Sequence, residues 1–359
     1  MVRHLYIHVP FCKTICAYCD FCHRVYNREY VLKWLDSLRK EISLKCHDSY
    51  ETIYIGGGTP TSLNEEELET LLKLIKPYSG NVIEYTIEVN PESLTAEKVA
   101  LFKSYGINRI SMGIQTTDEG LLKVLNRHHS FEDVKEKISL LKDNGLNNIS
   151  VDLMYSLPFQ TMDILEKSIN DVLSLDLPHI SIYSLIIEEN TIFEKKGYRP
   201  LDEDTEADMY DCICERLTDA GYRHYEVSNF AKEGFESKHN LGYWRYDDYL
   251  GVSMAAASKV NHIRYENTHD FERYFNDVES YEEYIELSRE DEMFENVMMS
   301  LRTAEGLDLV EFKKRYGEDA LDYYRESIEK QKDNLIIDNN HLICRRLEIL
   351  NNILLDFMK

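Results

Sequence analysis

Four of the chain's eight cysteines fall within residues 12–22, and three of them, Cys12, Cys16 and Cys19, form a C-x3-C-x2-C run. Thiolates at that spacing let one loop wrap three irons of a cubane cluster, and the fourth iron is left without a protein ligand. The same run reads alternatively as zinc, which prefers four ligands, with Cys22 near enough in sequence to be the fourth. Disulfide frameworks belong mainly to small secreted domains, so the crowding points to metal rather than cross-links. Cys212 and Cys214 stand C-x-C in a helical pattern, where near neighbours point apart; they read as packing residues, as do Cys46 and Cys344. His8, His128 and His129 read as solvent-facing or supporting groups rather than ligands.

The loop must be held by the elements around it. Leu5–Val9, Thr52–Ile55, Val82–Val89, Asn108–Met112, Asn148–Leu153 and His179–Ile186 have the length and β-branched content of strands. Amphipathic helical patterns lie between them, with Val31, Trp34, Leu35, Leu38 and Ile42 on one face, and Leu68, Leu71, Leu72 and Ile75 on another. Ser130 and Asp133 resemble a capping box, and Glu97 sits in the first turn after Thr95. Gly106, Gly145 and Gly221 stand where helices hand over to strands. Six alternating strands imply a parallel sheet with right-handed crossovers, either doubly wound or a partial barrel. After about residue 230 the chain turns polar and aromatic, and Phe271–Phe275 and Tyr281–Leu287 read as helical.

Composition limits the function. Acidic residues outnumber basic ones by 65 to 41, a formal charge of −24 over 359 residues. Such a field repels phosphate backbones and anionic lipid surfaces, which argues against nucleic acid as a partner. No apolar run approaches the ~18 residues of a membrane span, so stable membrane insertion is not expected. MVRHLYIHVPFC is too short for a signal peptide, and a cytoplasmic location is expected.

The run YIHVPFCKTICAYCDF resembles the radical S-adenosylmethionine (SAM) superfamily, and within it the coproporphyrinogen dehydrogenase group that includes HemN and HemW. The resemblance continues in order through GGGTPT (56–61), EVNPE (88–92), GINRISMGIQ (106–115), NRHHS (126–130), DLMYSLPFQT (152–161), YEVSNFA (225–231) and HNLGYW (239–244). It implies a partial (β/α)6 TIM-like barrel over residues 1–230, a connecting segment over 231–265 and a small, mostly helical C-terminal domain over 266–359. It also implies a 4Fe–4S cluster on Cys12, Cys16 and Cys19. The open iron would chelate the amino and carboxylate groups of SAM and cleave it to a 5′-deoxyadenosyl radical. Tyr6, Tyr18, Gly57, Gly58, Thr59, Glu88, Gln115, Arg127 and Asp152 match family positions around SAM, with Arg127 able to fork onto a carboxylate.

The group holds two functions: radical decarboxylation of coproporphyrinogen III propionates in HemN-type members, and haem binding and transfer in HemW-type members. Three features favour the HemW branch. Phe21 stands where the dehydrogenases carry a further cysteine, and only eleven residues precede Cys12, where they have a longer extension. His239, with Tyr243, matches the HNxxY motif linked to haem, and imidazole and tyrosinate both ligate haem iron. Haem as cargo, an apo-haemoprotein acceptor and an electron donor are the partners this implies, and coproporphyrinogen dehydrogenase is the alternative. Two departures from the family stand out: Cys22, and Ser253, Ala255 and Ala257 in a stretch (251–258) that is glycine-rich in relatives.

Overall fold

The computed structural model describes residues 2–47 and 49–358. Six strands, β1 (His4–Val9), β2 (Thr52–Gly57), β3 (Glu84–Val89), β4 (Arg109–Gln115), β5 (Ile149–Tyr155) and β6 (His179–Ser184), lie parallel and in chain order. The helices α1 (Arg28–Lys45), α2 (Glu65–Ile75), α3 (Ala96–Tyr105), α4 (Phe131–Asp143), α5 (Met162–Leu173) and α6 (Glu203–Asp219) alternate with them. This is the partial barrel expected. The expected helix signals are present, including the Ser130–Asp133 capping box. Gly106, Gly145 and Gly221 take φ of 82°, 81° and 84° at the helix ends, a conformation that costs a residue without a Cβ little.

The strands alternate in character as strictly as their pleat. Leu5, Ile7 and Val9 of β1, Ile53 and Ile55 of β2, and Tyr85, Ile87 and Val89 of β3 are buried in the main apolar core, together with the inner faces of α1–α3. The intervening residues are polar and turn to the other side, where His4 meets Thr52, Tyr54 meets Glu88, Ser111 meets Asp152 and Ser150 meets His179. The barrel interior is therefore a polar lumen, with its apolar core outside the sheet.

Both edges are extended. The hairpin β7 (Arg223–Glu226) and β8 (Asn229–Ala231) adds antiparallel to β6. On the other side α7 (Lys238–Trp244) leads into β9 (Tyr249–Val252), parallel to β1, and then antiparallel β10 (Ala257–Val260), β11 (Ile263–Asn267) and β12 (Tyr281–Glu286). Among the described residues these make one open sheet of twelve strands. Three expectations are corrected. The segment 231–265 is a helix and three strands of the main sheet rather than a connector, and the boundary expected at 266 falls inside β11. The segment expected as a helix over Tyr281–Leu287 is instead the strand Tyr281–Glu286, because Tyr281 and Tyr284 close on Tyr265 across the ladder, with ring centroids 5.0 and 6.1 Å away. Such cross-strand aromatic pairs outweigh the local helical pattern. A second core, from Met293 to Phe357, belongs to the C-terminal unit, in which a three-stranded sheet accompanies the helices.

One buried carboxylate fastens the extension to the barrel. Glu41 of α1 is fully buried and accepts from Ser253 N, Asn267 Nδ2 and Tyr274 OH, each at 2.7 Å, and from Lys45 Nζ at 2.9 Å. Removing it takes the shared acceptor from all four donors and the counter-charge from Lys45, which retains Asn267 Oδ1 at 3.1 Å. Glu41→Ala is expected to cost roughly 3–5 kcal/mol in denaturant unfolding, with Glu41→Gln costing less; a loss under about 1 kcal/mol for the alanine variant would contradict this role.

Candidate functional site

The C-terminal ends of the barrel strands open into a cavity of about 440 Å³ that is lined by Cys12, Cys16 and Cys19. The loop carrying them is pinned at its base by a short parallel pairing of Phe11–Cys12 with Arg24–Val25. It is docked at its tip by Ala17 N onto Leu125 O and by Asn126 Nδ2 onto Ile15 O. Each sulfur has a polar neighbour: Thr59 Oγ1 lies 3.6 Å from Cys12, Arg127 Nη1 3.7 Å from Cys16, and His23 Nδ1 3.7 Å from Cys19. Burial pushes the Cys12 thiol up to about 11 and the Cys19 thiol to about 12, so a metal centre formed here displaces their protons. Cys22 points elsewhere, its thiol 3.6 Å from His269 O on a different cavity. Three cysteines lining one cavity, with the fourth on another, suit a three-thiolate cluster better than a four-ligand zinc site.

The glycine turn after β2 lies hard against this loop. Gly57 has φ +105°, and a Cβ there would fall 2.6 Å from His8 Nδ1. At Gly58 a Cβ would sit 2.7 Å from Phe11 O and 3.0 Å from Cys12 Sγ. The protein itself, apart from any ligand, therefore excludes side chains at both positions. Thr59, Tyr18 and Gln115 also line the cavity. Gln115 adopts φ +66° at a bulge between β4 and β5, an uncommon backbone for a residue of its kind and a mark of functional sites.

Glu88 and Asp152 reach in from β3 and β5. Glu88 accepts from Tyr54 OH at 2.8 Å and from Gly57 N at 3.1 Å, and Asp152 accepts from Ser111 Oγ at 3.3 Å. Burial raises Glu88 to about 7 and Asp152 to about 6. Arg127 is buried, with both terminal nitrogens 3.1 Å from Asn90 Oδ1 and Nη2 also on Gly113 O, while its Nε has no partner. The fork expected to meet a ligand carboxylate is thus already spent on Asn90.

A second cavity of about 1010 Å³ adjoins the first, and the two share Asp20, Phe21, Tyr54, Glu88 and Tyr183. Phe21, 62% exposed, stands at the junction. Tyr6, expected beside the cluster, lines this second cavity, as do His239 and Tyr243. His8 is buried rather than solvent-facing and bridges Tyr6 OH at 3.1 Å and Cys22 O at 2.9 Å. Of the other two histidines of the motif stretch, His128 is exposed and His129 is buried, 3.5 Å from Glu92.

His239 lies in the first turn of α7, whose backbone N–H groups at Lys238 and His239 donate to Glu84 at 2.9 Å. Its ring is 1% exposed by residue and both nitrogens are engaged: Nδ1 with Thr52 Oγ1 and Nε2 with Tyr243 OH, each at 2.7 Å. Thr52 Oγ1 also meets His4 Nδ1 at 2.8 Å, and His4 Nε2 faces Asp247 Oδ2 at 3.4 Å. The chain has a single direction. A carboxylate only accepts, so with His4 as a neutral imidazole its Nε2 carries the proton and Nδ1 accepts from Thr52; Thr52 then accepts from His239 Nδ1–H, and Tyr243 O–H donates to His239 Nε2. Tyr243 oxygen, not a His239 nitrogen, is the end of this chain that keeps lone pairs to offer.

The sequence motifs did not single out His4, Thr52, Glu84, Asn90, Arg109 or His179. For Thr52, Glu84, Arg109 and His179 the signal was the two-residue alternation inside strands already recognised, which places polar residues on the lumen side; His4 and Asn90 lie just outside those strands.

Two family profiles match the chain: the radical SAM superfamily over residues 6–172 and the HemN C-terminal domain over residues 287–347. In solved structures the chain is similar to coproporphyrinogen III oxidase (HemN) from Escherichia coli, described as a radical SAM enzyme, with a TM-score of 0.86. That match covers 99% of this chain and 90% of HemN at 21% identity, a likeness of fold. Fold and profile together make this a radical SAM protein, a class that implies a 4Fe–4S cluster and SAM. Among curated proteins it is 35% identical to the heme chaperone HemW of Lactococcus lactis, covering 98% of this chain and 96% of that one. It is 38% identical to the heme chaperone HemW of Bacillus subtilis, covering 88% and 87%. The chain belongs to the HemW family. No helix among the described residues is long and apolar enough to cross a membrane.

Glu226 offers a test of the second cavity's electrostatics. It lines that cavity at 1% exposure, and burial raises it to about 7. A carboxyl raised on folding contributes stability that is full below its unfolded pKa and is lost as pH rises through the folded one. Between pH 6 and 8 the unliganded protein should lose about 1 kcal/mol from this group. Glu226→Gln should flatten that part of the profile in pH-dependent unfolding; an unchanged slope would refute the assignment.

Proposed function

We propose that the protein is a haem chaperone: it holds a 4Fe–4S cluster on Cys12, Cys16 and Cys19, binds SAM beside it, carries haem in the adjacent cavity and passes it to an apo-haemoprotein. The observation that carries this reading is the pair of cavities with a common wall. One is lined by three cysteines and a glycine turn, and the other is large enough for a porphyrin and is reached by the His239–Tyr243 pair.

When bound, the cluster supplies an open iron and a single electron. The chain's own residues supply the rest. Gly57, Gly58 and Thr59 present backbone to the methionyl part of SAM, and Glu88 and Asp152 are acceptors for its ammonium and ribose hydroxyls. Tyr18 and Gln115 close the sides, and the Arg127 guanidinium contributes charge from behind Asn90. In the second cavity Tyr6, Tyr54, Tyr249 and Trp244 provide aromatic walls. Arg302 is a cation on the same wall, suited to a propionate. Tyr243 meets the cargo through its oxygen, with His239 oriented behind it by Thr52 and His4. The 35% and 38% identical relatives named as heme chaperones support the reading, as does Phe21 in place of a fourth cluster-loop cysteine.

Anaerobically reconstituted protein, titrated with haem and followed in the Soret band, should saturate near one haem per chain. Tyr243→Phe and His239→Ala should each weaken binding by roughly tenfold, the equivalent of about 1.4 kcal/mol. No saturable binding in the wild type would overturn the reading. Turnover of coproporphyrinogen with consumption of SAM would replace it with the dehydrogenase alternative.

A further inference from the structure

Asn90, directly after β3, has figured so far only as the partner of Arg127, yet its side-chain amide touches the partners of two cluster cysteines. Its Oδ1 receives Arg127 Nη1 and Nη2, both at 3.1 Å, and its Nδ2 donates to Thr59 Oγ1 at 3.0 Å. Chemistry alone fixes which end of the amide is which, because a guanidinium only donates and so must face the oxygen. The nitrogen then has to face Thr59. Thr59 Oγ1, accepting from Asn90, keeps its own proton for Cys12 Sγ at 3.6 Å. Arg127, held by the amide oxygen and by Gly113 O, keeps Nη1 3.7 Å from Cys16 Sγ. One planar group thus sets the direction of the hydrogen bond from Thr59 and the placement of the one from Arg127.

We propose that Asn90 is a positioning residue for the cluster, aiming the Thr59 hydroxyl at Cys12 and the Arg127 guanidinium at Cys16 and thereby raising the cluster's reduction potential. The inference rests on the cluster assignment above. Donors to ligating sulfurs withdraw electron density from the iron and favour the reduced, more negative state. Without Asn90, the Thr59 hydroxyl is free to turn to other acceptors, and the guanidinium loses the acceptor that orients it. Asn90 touches no sulfur itself, so its effect must pass through Thr59 and Arg127.

The test is the midpoint potential of the reconstituted full-length protein, read by EPR-monitored redox titration after iron and sulfide have been counted. Asn90→Ala and Thr59→Val should each move the potential to a more negative value with the cluster fully loaded. In the double variant the two shifts should fall short of their sum, since both act on the bond to Cys12. Wild-type potential in a fully loaded Asn90→Ala, or strict additivity with Thr59→Val, overturns the proposal. Should Asn90→Ala fail to hold a cluster, Thr59→Val and the wild-type protein decide. A negative shift in the former, with exchangeable protons coupled to the cluster in H2O but not D2O, supports the inference, and absence of either removes it. A wild-type protein that assembles no cluster at all would instead bring down the cluster assignment.

Discussion

The two-residue pleat of the parallel strands is the constraint on which both cavities depend. Each strand from β1 to β6 gives one face to the helices and the other to the lumen. His4, Tyr6 and His8 share a face, as do Thr52, Tyr54 and Gly56, and Glu84, Thr86 and Glu88, and the register sets His4 beside Thr52 and Thr52 beside Glu84. A slip of one residue would send Ile and Leu side chains into the lumen and carboxylates into the apolar core. A polar lumen is tolerable only where its groups satisfy one another, because a buried unpaired donor or acceptor costs about 1–3 kcal/mol. The hydrogen-bond chain from Asp247 to Tyr243 and the Tyr225–His179–Ser150 chain, with contacts of 2.8 and 2.7 Å, meet that requirement. The same bonds orient the groups that chemistry would use.

Glu84 shows how the lumen governs an element outside the barrel's first six strands. At the start of β3 it presents its carboxylate to the free N–H groups of α7, where Ser237 is the N-cap. A helix N-terminus attracts negative charge, and two short bonds fix its rotation as well as its position. That rotation places His239 toward Thr52, and Tyr243, one turn on, against His239. The motif HNLGYW is therefore positioned by a strand some 150 residues earlier in the chain, with sequence separations of 154 and 155. Its function cannot be read from its own local sequence.

This separates what the sequence disclosed from what it did not. Cysteine spacing, glycine turns and strand–helix alternation are local, and they located the cysteine loop, the Gly57–Gly58 turn and six parallel strands; the choice of a barrel came from the family resemblance. Tertiary partners are not local. Nothing in EVNPE says that the asparagine would hold Arg127 and Thr59, and nothing around Tyr6 says that the cysteine loop would leave it to the neighbouring cavity. The strand Tyr281–Glu286, rich in tyrosine and glutamate, reads locally as helical, with Tyr281 and Tyr284 three residues apart. Only the pairing with Tyr265 supplied a ladder in which that spacing served a sheet. His239 reads from its motif as a haem ligand because hydrogen-bond saturation is invisible in a motif.

The stretch that departs from the family's glycines illustrates the same logic at the level of one residue. Ser253 and Ala255 adopt φ of +85° and +56°, the left-handed region in which a Cβ is unfavourable by roughly 1–2 kcal/mol. At Ser253 the structure contains the compensation. Its hydroxyl lies 2.8 Å from Trp34 Nε1, an indole that is completely buried, while its backbone N–H and carbonyl are held by Glu41 and Asn267. A glycine would relax the backbone and leave the indole N–H without that acceptor, an exchange of similar magnitude in the opposite direction. Ala255 has no side-chain partner of that kind; its methyl group lines the larger cavity instead. The residue at 253 is thus a property of the core beneath α1, whereas those at 255 and 257 both line the larger cavity and bear on what it admits.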